Sequence, residues 1–347
     1  MGIVSIHRIT RLKNWKNYIL PFLLGVIFAS VYIYAIPFDT TWRIAGLLML
    51  SITGTAAYGY LLNNIFDLEE DQRASKSNYT AGMSAWSKTM YAITFLLLAL
   101  APWLFLPVTF LNFGLFVLQL ALLAAYSIPP SRLKRFVHIG VITDALYNSL
   151  IMVFVIVLTI KEHAEIPSKN EALILVVLIG VLFLKGLRGI LLHQLADRKN
   201  DLKAGLNTFV LYYGPLATNN VIVKVMLPME LILNIILVFT LSEMIPGLLW
   251  YFIAFLVYKV LTLRCWNIWS LLKWDYRFMF LYTLNDWYEE WLPLYMLVLL
   301  SIWETNFVFV LIPYVLIFPT YFLKLYKDIP NTIKNFNDDI KKTILQD

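Results

Sequence analysis

Apolar segments long enough to cross a lipid bilayer recur along the whole sequence of 347 residues. A hydrocarbon core about 30 Å thick takes roughly 20 apolar residues of helix to cross. Because unpaired backbone polar groups are costly in lipid, such segments fold as helices. Only 14% of the residues are charged, against roughly 25% in soluble domains. The pattern predicts an all-α polytopic membrane protein without a large soluble domain.

Ten apolar segments are candidate membrane spans, and we predict that nine or ten of them cross the bilayer. The ninth segment is short, and the stretch before it, residues 274–290, has the mixed composition of an interfacial helix. Residues 1–347 are predicted to form one domain, in which residues 324–347 are a basic cytoplasmic tail. The candidate spans are residues 18–35, 42–65, 90–106, 110–126, 139–160, 173–194, 217–241, 247–266, 291–303 and 307–323.

Basic residues lie on alternate connections between these spans, and this bias predicts the orientation of the chain. Connections rich in Lys and Arg face the cytoplasm, which places the N-terminus and the basic tail on that side. The same bias accounts for the net charge of +6, so nucleic acid is not predicted as a partner. The basic residues are Arg8, Arg11, Lys13, Lys16, Arg73, Lys76, Arg132, Lys134, Arg135, Arg198, Lys199 and Lys203.

Two predicted spans end in matching sets of polar residues at the cytoplasmic boundary. Each set has a polar residue followed by two aspartates, four residues apart, and a helical period of about 3.6 places all three on one face. Ionisable groups are costly there and usually line a polar cavity, so we expect the two sets to face each other. The alternative is a solvated charge run, which we predict for Glu69 and Glu70 because they point off that face. The first ladder is Asn63, Asp67 and Asp71, and the second ladder is His193, Asp197 and Asp201.

The chemistry of the ladders favours a divalent cation and a polyphosphate. Carboxylates are hard oxygen ligands suited to Mg²⁺, which takes one or two of them plus phosphate oxygens. Cys265 is the only cysteine, which excludes cysteine zinc sites and iron–sulfur clusters. Basic residues can neutralise the remaining phosphate oxygens. The candidates are Lys13, Arg132, Lys134, Arg198, Lys199 and Lys203.

These motifs resemble the UbiA prenyltransferase superfamily over most of the chain. Its members carry an NDxxDxxxD motif after the second transmembrane helix and a DxxxD motif after the sixth. The resemblance implies a UbiA-like bundle of nine or ten helices around a central cavity that opens to the cytoplasm, with Mg²⁺ held by the two motifs. The residues on the motifs are Asn63, Asp67, Asp71, Asp197 and Asp201, and the second motif continues into Gly205 and Thr208.

The same resemblance assigns diphosphate contacts to two other segments. Residues 126–134 look like the connection after the fourth helix of the family, and residues 11–17 look like the entry to the first helix. The contacts implied are Tyr126, Lys134, Lys13 and Asn17, together with Asn63 of the first motif.

Two positions depart from the family pattern. Asn64 replaces the second residue of the first motif, normally Asp, which removes one metal ligand. Residues 78–80, Asn-Tyr-Thr, stand where many members have Arg-Pro-Leu, which leaves the acceptor class open. His193 mirrors Asn63, and it either contacts the diphosphate or forms a hydrogen bond within the bundle.

A third polar set lies within the fifth predicted span, where Asp144, Tyr147 and Asn148 share a helix face. An Asp inside a membrane helix is a functional candidate. Asp144 can orient an acceptor hydroxyl, stabilise a carbocation or act as a base; the alternative is an interhelical hydrogen bond. We place Tyr147, Asn148 and Asn64 at the acceptor or cation cavity. Arg188 is predicted at the diphosphate, with snorkelling as its alternative.

These observations predict a Mg²⁺-dependent membrane prenyltransferase. Asp67, Asp71, Asp197 and Asp201 hold Mg²⁺ on an isoprenyl diphosphate, and basic residues neutralise the leaving diphosphate. A small aromatic or lipid acceptor then attacks the allylic cation. Within the superfamily the alternative is a terpene cyclase, in which the substrate's own double bonds quench the cation. Outside it the alternative is a transporter with buried cation sites.

Overall fold

The computed structural model of the chain describes residues 8–164, 170–263 and 283–344. Regular secondary structure in these ranges is helical throughout, which confirms the predicted all-α class. The chain divides into two compact units. Unit 1 is Met1–Lys16 with Tyr34–Asn234, and unit 2 is Asn17–Ile33 with Ile235–Asp347.

Unit 1 carries the two acidic ladders and most of the long helices. Its α7 contains a π-helical turn, Leu146–Leu150, and its α10 continues into unit 2. The helices are α1 (Leu12–Lys16), α3 (Phe38–Phe66), α4 (Leu68–Arg73), α5 (Ala85–Leu104), α6 (Phe110–Ser127), α7 (Val137–Lys161), α8 (Glu171–Ala204), α9 (Phe209–Tyr213) and α10 (Pro215–Leu241).

Unit 2 contains the remaining helices, including an N-terminal one. A π-helical turn, Trp287–Trp291, joins α12 to α13. The helices are α2 (Ile19–Ile33), α11 (Leu248–Thr262), α12 (Thr283–Asp286), α13 (Leu292–Trp303), α14 (Val308–Ile317) and α15 (Thr320–Ile344).

Each predicted span falls on one or two of these helices. Among the described residues, six helices are long and apolar enough to cross a membrane, and a seventh crossing arises if the bent pair Thr305–Ile317 and Phe322–Asn335 forms one span. Two further apolar helices, Ile19–Ile33 and Leu248–Thr262, are shorter. The count of nine or ten crossings therefore stays a prediction.

The last predicted span, residues 307–323, contains a break between two helices. Helix α14 ends at Ile317, and α15 begins at Thr320 after Pro319. Proline lacks a backbone N–H and disfavours helical geometry in the residue before it. Phe318 accordingly leaves the helical region, with φ −119° and ψ 61°.

Helices α3 and α5 of unit 1 pack against each other with their backbones in close contact. A Cβ atom on Gly54 would lie 2.4 Å from Ala99 N, so only glycine allows this approach. Ser51 donates a hydrogen bond to Ala99 O (2.8 Å), and Trp103 Nε1 donates to Ser51 Oγ (3.2 Å). Small residues and interhelical hydrogen bonds are typical of helix packing in membranes. This contact fixes α3, which ends at the first ladder.

Candidate active site

The first ladder lies at the junction of α3 and α4 in unit 1. Asp67 ends α3 with φ −98° and ψ 7°, and α4 begins at the next residue. Helical hydrogen bonds nevertheless run through the junction, because the Asp67 amide donates to Asn63 O (2.9 Å) and the Asp71 amide donates to Asp67 O (2.8 Å). The ladder therefore keeps its helical spacing across the break, as the sequence predicts.

Asp67 is bound by two cations from the connection between α6 and α7. Arg132 Nη2 donates to Asp67 Oδ1 at 3.2 Å, and Lys134 Nζ donates to the same oxygen. Lys134 also donates to Asn63 Oδ1 at 3.2 Å. Burial lowers the pKa of the Lys134 amine, against the opposing effect of the Asp67 carboxylate. Two of the cations predicted for diphosphate binding thus lie directly beside the first ladder.

The prediction that Glu70 is solvated is wrong. Its side chain is buried and accepts a hydrogen bond from Arg132 Nη2 at 2.7 Å. The spacing correctly puts Glu70 off the ladder face, but spacing cannot show that the connection containing Arg132 packs against that side. Glu69 is exposed, as predicted.

Arg132 is held in an unusual conformation. Its φ is 29°, a region that residues with a side chain rarely adopt. Its Nη2 also donates to Phe66 O (2.8 Å), while its buried Nε has no hydrogen-bond partner among the described residues. Strained backbone and unsatisfied buried donors concentrate at functional sites. The Arg132 Nε–H group is therefore a buried donor that is available to a ligand, next to the carboxylates of Asp67 and Glu70.

Asp71 is buried and bound by the loop that follows α4. Asn78 Nδ2 donates to Asp71 Oδ2 (2.8 Å) and to Asn64 O (2.7 Å). Thr80 Oγ1 donates to the same Asn64 carbonyl at 3.1 Å. Residues 78–80, which depart from the family pattern, therefore brace the first ladder.

Asn64, predicted at the acceptor or cation cavity, is bound by the segment before α1. Its amide is 1% exposed, accepts from Arg11 Nη2 (2.6 Å) and donates to Ile9 O (2.9 Å). An aspartate carboxylate has no donor for the Ile9 carbonyl, whereas an amide has both a donor and an acceptor. The Asn in place of the motif Asp thus fixes the segment before α1.

The second ladder lies in the last three turns of α8, and Gly205 follows the end of that helix. With φ 70°, Gly205 adopts the left-handed conformation that favours glycine. Its amide donates to Leu202 O (3.2 Å), and the Leu206 amide donates to Asp201 O (3.0 Å). This pair of bonds is a Schellman motif. It places Asp201, which is 8% exposed, in the final turn.

Lys76 connects the two ladders. Its Nζ lies 2.8 Å from Asp197 Oδ2, and its amide donates to Asp71 O at 2.8 Å. His193 Nε2 is 4.0 Å from Asp197 Oδ2, on a side chain that is 70% exposed. Helix α4 also packs against α8. The two ladders are therefore neighbours within unit 1.

The donor set of the ladders fits a metal ion that is completed by a ligand. Among the described residues, no group of three or more His, Cys, Asp or Glu side chains is close enough to hold an ion by itself. A divalent ion that takes one or two carboxylates and completes its coordination with phosphate oxygens matches such an arrangement. The nearby Arg132, Lys134 and Lys76 would meet the charge of the phosphate.

The third polar set is organised by the π-helical turn in α7. Tyr147 Oη donates to Asp144 Oδ1 at 2.6 Å, and the Asn148 side chain also interacts with Asp144. The Tyr147 carbonyl lies within this turn, and Gln119 Nε2 on α6 donates to it at 2.6 Å. Gly186 on α8 allows this stretch to approach closely, because a Cβ there would lie 2.8 Å from Ala145 Cα. Single π-helical turns are frequent at functional sites.

Tyr126 links the third polar set to the ladders. Its ring packs edge-on against Tyr147, with centroids 5.3 Å apart. It lies within electrostatic range of Asp144, Asp67 and Asp201. Carboxylates from all three polar sets therefore act electrostatically on this one tyrosine.

Arg188, predicted to contact the diphosphate, forms a buried ion pair. Its Nε and Nη2 donate to the two carboxylate oxygens of Glu230 on α10 at 2.7 and 2.9 Å. Both side chains are fully buried. A pairing between distant helices is not visible in local spacing, and the diphosphate contact of Arg188 stays a prediction. An acidic residue inside a predicted span was nevertheless a signal that Glu230 needed a partner.

The other residues predicted to bind the diphosphate differ in their surroundings. Arg198, Lys199 and Lys203 are exposed, and Lys199 and Lys203 lie on the side of α8 away from Asp197. The Lys13 side chain lies outside the described residues, and Asn17 is exposed in unit 2. Lys76 and Asn78, which were not predicted at the site, lie at the ladders. Their only signal in the sequence is that they follow the first ladder closely.

The structure resembles several solved structures at low sequence identity. A UbiA homologue from Archaeoglobus fulgidus bound to GPP and Mg²⁺ matches with a TM-score of 0.55 and 19% identity, over 84% of this chain and 99% of that chain. A UbiA homologue from Aeropyrum pernix K1 matches with a TM-score of 0.56 and 17% identity, over 80% and 97%. Digeranylgeranylglyceryl phosphate synthase gives 0.54 and 17%, over 85% and 97%. These likenesses establish the fold.

Comparison of the sequence with protein families gives the assignment. No curated protein sequence matches the chain significantly. The UbiA prenyltransferase family matches over residues 22–284, well over half of the chain. The long apolar helices of the chain indicate a multi-pass integral membrane protein. With the family match, the shared fold and the paired acidic motifs together, the chain belongs to the UbiA prenyltransferase family.

Proposed function

We propose that the protein is a Mg²⁺-dependent prenyltransferase that ionises an isoprenyl diphosphate and transfers the prenyl group to a small aromatic or lipid acceptor. The observation that carries this proposal is the joining of the two ladders by Lys76, with Arg132 and Lys134 against the first. Carboxylates for a divalent ion and cations for phosphate lie within one site. The Archaeoglobus fulgidus homologues bound to GPP or DMAPP with Mg²⁺ support the same chemistry.

Asp67, Asp71, Asp197 and Asp201 would hold Mg²⁺ together with the phosphate oxygens. When bound, the ion supplies positive charge that stabilises the leaving diphosphate. In the structure Asp67, Asp71 and Asp197 each contact a protein cation or amide, and Asp201 is buried. Substrate binding would exchange some of these protein contacts for contacts with phosphate oxygens. Lys134 and Lys76 would release their contacts with Asp67 and Asp197 and bind phosphate oxygens.

Ionisation breaks the bond between C1 of the prenyl group and the bridging oxygen, and both electrons leave with the diphosphate. Arg132 and Lys134 would stabilise the developing negative charge, since preorganised donors act most strongly where charge develops. The allylic cation that remains is attacked by an acceptor carbon, which afterwards loses a proton. Protection of the cation from water requires an apolar setting, which the bundle supplies.

Asp144 and Tyr147 would orient the acceptor and receive its proton. They form a hydrogen-bonded pair that Tyr126 connects to the ladders. A carboxylate and a phenol can accept and donate hydrogen bonds, respectively, to a hydroxyl-bearing acceptor. The distribution of basic residues supports a cytoplasmic location for the active-site mouth and the N-terminus.

A terpene cyclase is the second candidate, and the edge-on pair of Tyr126 and Tyr147 favours it. Aromatic faces stabilise cations, and Asp144 beside them could remove the final proton from a cyclised cation. In that reaction the double bonds of the prenyl chain replace the acceptor as the nucleophile.

Product analysis distinguishes these functions. Purified protein in lipid nanodiscs is incubated with geranylgeranyl or farnesyl diphosphate, with Mg²⁺ or EDTA, and with or without aromatic and lipid acceptors. Prenylated acceptor and released diphosphate that both need Mg²⁺ would support the prenyltransferase. A cyclic hydrocarbon or terpene alcohol formed without acceptor would establish the cyclase. Absence of diphosphate release under every condition would exclude both and favour a transport role.

A further inference from the structure

Helix α15 in unit 2 has two chemically distinct faces. Phe322, Tyr326, Ile329 and Ile333 recur at intervals of three and four residues, which forms a single apolar stripe on a helix. The opposite side carries Lys324, Asp328 and Asn331. A helix of this kind usually turns its apolar stripe toward the body of its own protein.

The polar face of α15 instead contacts the rest of unit 2. Lys324 Nζ lies 3.0 Å from Asp286 Oδ1 and 2.5 Å from Glu290 Oε1. One turn further along, Asp328 Oδ2 accepts a hydrogen bond from Tyr258 of α11 at 2.6 Å. Lys259 of α11 pairs with Asp286 as well. These contacts fix the rotation of α15 about its axis.

The apolar stripe is consequently turned away from unit 2. Tyr326 is 79% exposed, Ile333 58%, Ile329 51% and Phe322 42%. A row of large exposed apolar side chains marks a surface that is covered by lipid or by another protein. The exposed residues Lys327 and Lys334 lie along one side of the helix, between this stripe and the polar face.

We propose that α15 lies in the surface layer of the bilayer, with its apolar stripe against the lipid acyl chains and with Lys327 and Lys334 among anionic headgroups. An apolar face bordered by lysines is the pattern of helices that lie in the membrane interface. The direction of the chain agrees with this location. The helix pair Thr305–Ile317 and Phe322–Asn335 bends by 60°, which turns α15 away from the axis of the apolar helix before it.

A lipid-borne quencher in single-copy nanodiscs tests the proposal. The full chain carries Cys265→Ser, so that an environment-sensitive fluorophore labels only an introduced cysteine. Tyr326→Cys places the label on the apolar stripe. Asn331→Cys places it on an exposed residue of the opposite face and is the matched control. Each variant is measured with doxyl-labelled acyl chains and with aqueous iodide, in nanodiscs with and without anionic phospholipid.

We expect the label at position 326 to emit at shorter wavelength and to be quenched by doxyl lipid several-fold more than the label at position 331. Iodide should quench the two labels in the opposite order, and anionic lipid should increase the difference. Equal quenching by iodide at both positions would overturn the proposal, because the stripe would then face water. A blue-shifted label at position 326 that doxyl lipid does not quench would also overturn it, since protein would then cover the stripe.

Discussion

Arg188 of α8 and Glu230 of α10 form a bidentate ion pair in which neither side chain is exposed to solvent. Burying a charge costs hydration free energy, and in a buried pair the attraction between the two charges offsets this cost. Removal of one partner leaves the other charge buried without that attraction. The pair joins two long helices of unit 1 and therefore has a structural role. This role can be distinguished from the diphosphate contact predicted from the sequence.

We expect Arg188→Met and Glu230→Leu each to lower the free energy of unfolding by about 3–5 kcal/mol, because each leaves one buried charge unpaired. The double variant Arg188→Met/Glu230→Leu should recover most of that loss. Thermal unfolding in detergent, followed by circular dichroism, measures the effect. If the folded double variant loses prenyl-diphosphate turnover entirely, Arg188 contacts the substrate after all.

The ladder aspartates provide a direct test of the metal site. Asp67→Asn or Asp201→Asn should reduce turnover by about 100-fold or more, since each removes charge that compensates the metal in the transition state. Glu69→Gln is the matched control, because Glu69 is an exposed carboxylate next to the first ladder and should retain activity. Diphosphate release from reconstituted protein is the measurement. Equal activity of Asp67→Asn and Glu69→Gln would contradict the proposed site.

Lys134 and Arg135 are neighbouring cations with different surroundings. The Lys134 side chain is 12% exposed on Asp67, whereas that of Arg135 is 59% exposed. We expect Lys134→Met to lower kcat/KM for the prenyl diphosphate by about 100-fold, because it removes a donor aimed at the leaving group. Arg135→Met should change it by less than about 3-fold. A similar loss in both variants would mean that general positive charge, rather than the Lys134 contact, binds the substrate.

The proposed role of the hydrogen-bonded pair Tyr147 and Asp144 predicts that substitutions there affect the reaction of the acceptor and leave binding of the prenyl diphosphate unchanged. Tyr147→Phe and Asp144→Asn should reduce product formation by about 10²-fold, as expected when a general base or its partner is removed. The KM for the prenyl diphosphate should stay within about 2-fold, because these residues do not bind it. Steady-state kinetics with each substrate varied in turn provide the test. An increase in that KM without a fall in kcat would place Asp144 at the diphosphate instead.

Glycine packing in unit 1 can be tested with two substitutions of the same kind. Gly54→Ala should destabilise the protein by about 1–3 kcal/mol, because its Cβ would overlap the backbone of α5 and force the helices apart. Gly46 lies in the same helix with nothing within 4 Å of a Cβ, so Gly46→Ala should be neutral or slightly stabilising. Equal melting temperatures for the two variants would show that α3 and α5 are not in close contact.

Much of the fold follows from local pattern. The apolar segments and the helices agree along the described chain, since the cost of unpaired backbone groups in lipid leaves helix as the available structure. Pro319 shows the limit of this reasoning, because a hydropathy pattern continues through a residue that ends the helix. The first and second ladders were likewise predicted from spacing alone.

The partners of the ladders were decided by tertiary structure. Asn64 illustrates the reason: the sequence shows an amide in place of a carboxylate, but only the fold shows that it binds the Ile9 carbonyl and Arg11. Glu70 and Lys76 also acquire their roles through segments that are distant in sequence. Local periodicity determines which face of a helix a residue occupies, and it contains no information about what packs there.

The sequence by itself thus determined the helical class, the two acidic ladders and the family, because these depend on composition and on spacing within single helices. Tertiary structure alone decided that Arg188 pairs with Glu230 and that Lys76 bridges the two ladders. The physical reason is that a long charged side chain can reach several partners. Only the packing of the helices selects the one that compensates its desolvation.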